Sequence, residues 1–69
     1  MATLSMRHHG ASTPVPLGRY LMTLTTDRGW NETTTSVTTP HTLGSLATGL
    51  ATLLRLPGTV VDLVITPRA

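Results

Sequence analysis

The chain has no cysteine, which excludes disulfides, cysteine-ligated zinc, iron–sulfur clusters and thiol nucleophiles, and fits a reducing compartment. Lysine, phenylalanine and glutamine are also missing, and there is one tryptophan and one tyrosine. Two aromatic rings make a poor base-stacking platform of the kind single-strand binders use. Charge is thin: Arg7, Arg19, Arg28, Arg55 and Arg68 stand against Asp27, Glu32 and Asp62, a formal +2. The basic isoelectric point overstates this excess, because the five cations are scattered where phosphate binders cluster theirs.

Long apolar runs are absent too. The stretch 43–56 is the most apolar, but Thr48, Thr52 and Arg55 interrupt it, and it is too short to span a bilayer. Arg7, His8 and His9 fall where a secretion signal needs its apolar segment. These features predict a soluble cytoplasmic protein without membrane contact. Threonine (15) and leucine (11) dominate instead; with arginine as the sole cation, this is the composition of GC-rich coding and points to a high-GC bacterium, its phages or its mobile elements.

Sixty-nine residues, 39% of them apolar, support one small domain. At this size the gain from burying apolar area roughly equals the cost of ordering the chain. Self-association or a partner is therefore expected.

Gly10, Pro14, Pro16 and Gly18 punctuate residues 1–18, which read as an extended N-terminal arm. Its alternation of Ala2, Leu4 and Met6 with Thr3, Ser5 and Arg7 suits strand addition to a neighbouring sheet edge. Residues 19–69 read as a single α+β domain. Arg19 to Thr26 alternates Tyr20, Met22 and Leu24 with Leu21, Thr23 and Thr25, a strand pattern with apolar bulk on both faces. Residues 27–32 supply turn chemistry around Gly29. The threonine-rich Thr33 to Thr39 returns as a hairpin partner and belongs at an edge.

Thr39-Pro40 reads as a helix start. Leu43, Leu46, Ala47, Leu50, Leu53 and Leu54 then recur with the spacing of one helical face. Pro57-Gly58 ends the helix, with Arg55 in its last turn. Thr59 to Thr66 forms a last strand, Val61, Leu63 and Ile65 opposing Val60, Asp62 and Val64. The expected fold is β-β-α-β: a three-stranded, mainly antiparallel sheet of order 2-1-3 with one helix on one face.

A single helix leaves the other sheet face uncovered, and uncovered apolar surface marks an interaction site. The expected contact set is Tyr20, Met22, Val60 and Val64, buried across a twofold axis, together with Arg28 and Trp30 at the hairpin tip. Arg and Trp are the side chains most enriched at binding hot spots; alternatively Trp30 folds back to close the core. Gly44, Thr48 and Thr52 form a shallow groove on the outer helix face, suited either to close packing or to water. His8, His9 and His41 show no metal-ligand spacing, and no nucleophile elbow, paired carboxylates or phosphate loop is present. No cofactor, metal site or catalytic residue is expected. Asp62 should lie on the less buried strand face or cap an edge. The reading is a non-enzymatic protein–protein interaction module that self-associates and regulates or assembles with a larger protein. The alternative is a small nucleic-acid-binding regulator, Arg19, Arg28 and Arg55 gripping phosphates and Trp30 or Tyr20 stacking on a base.

Overall fold

The computed structural model describes residues 2–68. Its centre is strand β3 (Gly18–Thr26), which pairs antiparallel with β4 (Gly29–Val37) on one side and with β6 (Val60–Pro67) on the other. A two-residue strand, β1 (Leu4–Ser5), adds antiparallel to the far side of β6, giving a four-stranded sheet of order β1-β6-β3-β4. Helix α2 (Leu43–Leu54) lies against this sheet, and a second, two-stranded ribbon joins β2 (Pro14–Val15) to β5 (His41–Thr42). The expected α+β class and hairpin are present. The expected three strands in order 2-1-3 are replaced by four in one sheet and two in another.

Side chains two residues apart on a strand share a face. Tyr20, Met22 and Leu24 of β3 therefore point the same way as Leu63 and Ile65 of β6, and all five are buried under Leu43, Ala47 and Leu50 of α2. Val15 and Val37 complete the core at one end. The Tyr20 hydroxyl donates to the Pro16 carbonyl at 2.6 Å, so the ring is buried with its polar end satisfied. Leu53, expected on the inner helix face, is 77% exposed; the buried stripe narrows to Leu43, Ala47 and Leu50.

Residues 1–18 are not a simple extended arm. Leu4 stands opposite Ile65 and packs with Met6 against the core. Helix α1 (Met6–His9) follows for one turn, and Asp62 accepts the Arg7 N–H at 3.1 Å and contacts the Ser5 hydroxyl at 3.4 Å. That carboxylate thus sits half-buried at the start of α1, where helix amides lack partners. Further on, the Ala11 and Thr13 carbonyls accept the Gly44 and Leu43 N–H groups at 2.8 and 3.0 Å.

Helix α2 starts three residues later than Thr39-Pro40 suggests. Thr42 and Ser45 form a reciprocal capping box, which satisfies two amides at once and outweighs the single cap offered by Thr39. Residues 41 and 42 are drawn into β5 instead. At the other end Arg55 is not in the last turn but is the left-handed cap, with φ 52° and its N–H bonded back to Ala51 and Thr52 carbonyls. A register shift between Thr25 and Thr26 pairs them with Asp62 and Val60. Val61 is left 47% exposed, and Val60 turns toward the core, as expected where one strand carries an extra residue. No helix among the described residues is long and apolar enough to cross a membrane.

Candidate interaction surface

The sheet face away from α2 is made by the other phase of each strand. Arg19, Leu21, Thr23 and Thr25 of β3 stand beside Ser36, Thr34, Glu32 and Trp30 of β4. Across β6 their neighbours include Thr66, Val64 and Asp62. Leu21 and Val64 give this face its aliphatic area, and both are half-buried. Tyr20 and Met22, expected in a contact patch, are 3% and 0% exposed beneath α2, and the bulge turns Val60 toward the same core. Of the expected set Tyr20, Met22, Val60 and Val64, the open face keeps Val64. The helix covers the strand phase with the larger apolar side chains, which removes more apolar area from water.

The edge of the sheet has a definite polarity. The Arg68 N–H donates to the Arg19 carbonyl at 2.9 Å, so the odd residues of β3 direct their backbone groups at β6 and the even ones at β4. Antiparallel pairing alternates; Gly29, Asn31, Thr33, Thr35 and Val37 therefore bond inward to β3. Trp30, Glu32, Thr34 and Ser36 turn their N–H and C=O groups outward. Among the described residues no strand lies beyond β4 in this sheet. Over 29–37 there is no proline or lysine, and the single charge, Glu32, is the one side chain of the kind that usually blunts an edge. These outward groups were not read from the sequence, although the two-residue turn and its alternation carry the signal.

Trp30 is not at a hairpin tip. The turn is only Asp27-Arg28, because Gly29 at φ 147° opens β4 directly. Trp30 is thus the second residue of β4, opposite Thr25 in the phase of the open face, and at 70% exposed it does not close the core. Arg28 and Trp30 share a cleft of 140 Å³ with Thr26, Gly29, Leu56 and Pro57.

The outer helix groove is occupied at one end by the chain itself. A Cβ on Gly44 would lie 3.0 Å from Ala11 Cβ and 3.1 Å from its carbonyl oxygen; the missing side chain lets the N-terminal segment reach the helix amides. Thr48 and Thr52 stay exposed, the Thr52 hydroxyl donating to the Thr48 carbonyl at 3.0 Å. His41 lies between Thr39 Oγ1 at 3.2 Å and Ser45 Oγ at 3.1 Å. Ser45 is committed to the cap: its hydroxyl accepts the Thr42 N–H and donates to the Thr42 carbonyl. His8 and His9 turn back on Ser5, and no group of three metal-binding side chains occurs among the described residues. No family model, curated protein or solved structure matches the chain.

Proposed function

We propose that this chain is a non-enzymatic protein-interaction module of the cytoplasm, which self-associates through its four-stranded sheet and by the same surface assembles with or regulates a larger protein. The supporting observation is the unblocked nine-residue edge of β4 beside an open, threonine-rich face carrying Trp30. Such an edge offers a row of backbone donors and acceptors to any partner strand. Val64 joins the same face from β6, and Arg28 lies at the adjoining turn, packed toward Gly58.

A second reading, nucleic-acid binding, draws on the pairing of Arg19 with Arg68 at one end of the open face. Arg19 belongs to the open face of β3, and a second cation one backbone hydrogen bond away favours a phosphate. Light-scattering mass after size exclusion, at low and high salt and with and without duplex and single-stranded DNA, separates the readings. A salt-insensitive mass of twice the chain or more supports self-association. A monomer that shifts only with DNA at low salt replaces it with the phosphate reading.

A further inference from the structure

We propose that the occupant of the β4 edge is the β4 edge of a second copy, paired antiparallel about a twofold axis at Thr33, so that two four-stranded sheets become one of eight. This rests on the self-association reading and specifies its geometry.

The register follows from the edge itself. A one-residue slip would turn one copy's core face to the other copy's open face, so only even shifts are allowed. Pairing 29–37 on itself about Thr33 aligns every residue of β4. It places Trp30 opposite Ser36 and Glu32 opposite Thr34 of the second copy. The four outward-turned residues meet their counterparts, closing about eight backbone hydrogen bonds. Shifting the axis to Glu32 sets two carboxylates directly opposite one another, which is unfavourable. Shifting it to Thr34 pushes Trp30 past the end of β4, against Thr38.

The favoured register also provides for the exposed tryptophan. Ser36 of the second copy is small, and its neighbour on the far side is Arg19. Trp30 can therefore extend over Ser36 to the Arg19 guanidinium of the second copy, a cation–π contact, and the twofold axis makes it twice. Glu32 faces a neutral Thr34. The edge is thus self-complementary in backbone, side-chain size and charge.

The lack of native cysteine makes the geometry directly testable. Thr33 faces its own counterpart in a non-hydrogen-bonded pair, whose close Cα separation lies within disulfide range. Thr33→Cys is expected to cross-link rapidly under copper-phenanthroline oxidation. Thr35→Cys lies about 14 Å from its counterpart in this register and is expected to remain reduced. Thr34→Pro removes an outward N–H, a position where an edge strand tolerates proline. It should keep the circular dichroism of the wild type and weaken dimerisation on the order of 100-fold. Dilution of wild type should red-shift Trp30 fluorescence as the ring returns to water, and Arg19→Ala should reduce that shift.

A dimer that survives in folded Thr34→Pro, with no Thr33→Cys cross-link, overturns edge pairing while leaving self-association intact. A wild type that stays monomeric up to about 1 mM overturns both. If Thr34→Pro fails to fold, the contrast between the two cysteine variants decides.

Discussion

Asp27 and Thr59 hold each other by two hydrogen bonds: the Asp27 N–H donates to the Thr59 carbonyl at 3.0 Å, and the Thr59 N–H donates to Asp27 Oδ1 at 2.9 Å. They are 32 positions apart, so this clasp ties the β3–β4 turn to the loop that delivers β6. It also fixes the cleft that Arg28 shares with Trp30, because the turn cannot swing away from residues 56–59.

Asp27→Ala should lose the side-chain half of the clasp, worth about 1 kcal/mol net, and lower the melting temperature by roughly 4–8 °C. Gly58→Ala should cost more. Gly58 has φ +90°, and an added Cβ would collide with the Asp27 and Arg28 side chains, so backbone strain and clash act together. Thermal melts of the two variants give the test; an unchanged midpoint for Gly58→Ala would contradict the packing described.

Two helix glycines should respond differently to the same substitution. Gly49 has open space around its Cβ position, so Gly49→Ala should gain helix propensity of about 1 kcal/mol. Gly44→Ala meets Ala11 and should yield no such gain, because the N-terminal segment must move off the helix amides. Amide exchange at residues 43 and 44 should accelerate in Gly44→Ala and stay slow in Gly49→Ala.

The position of the helix cap is tested by a pair of threonines. Thr42→Ala removes a side-chain acceptor for the Ser45 N–H and should destabilise by about 0.5–2 kcal/mol. Thr39→Ala removes only an exposed contact to His41 and should leave the chemical denaturation midpoint almost unchanged. Equal losses would place the cap at the wrong residue.

The two sheet faces differ in what they tolerate. Met22→Arg buries a charge in the core and should abolish folding, since a chain this size has only roughly 3–10 kcal/mol of stability to lose. Val64→Arg lies on the open face and should keep the native circular dichroism. An unfolded Val64→Arg would mean that the open face is covered within the monomer.

Much of this architecture was already legible locally. The alternation of Tyr20, Met22 and Leu24 defines a strand and the recurrence of Leu43, Ala47 and Leu50 a helix, because each pattern reports a period of 2 or 3.6 set by backbone geometry alone; the β-branched, aliphatic-poor run of threonines in β4 marks an edge strand. Absences were equally decisive: without cysteine no covalent staple exists. Faces and ends depended on partners distant in sequence. Tyr20 and Met22 or Leu21 and Thr23 could each have faced α2; the choice fell to the phase that buries more apolar area together with Leu63 and Ile65. Val60 and Val61 exchanged roles through a register shift that exists only once β6 meets β3. The N-terminal segment read as an extended arm because its own prolines and glycines specify little. Its order comes from Ile65, Asp62 and the free amides of α2, groups it meets only after the chain has folded back. For the same reason the outward backbone groups of Trp30, Glu32, Thr34 and Ser36 became a defined surface only when β3 claimed the alternate residues.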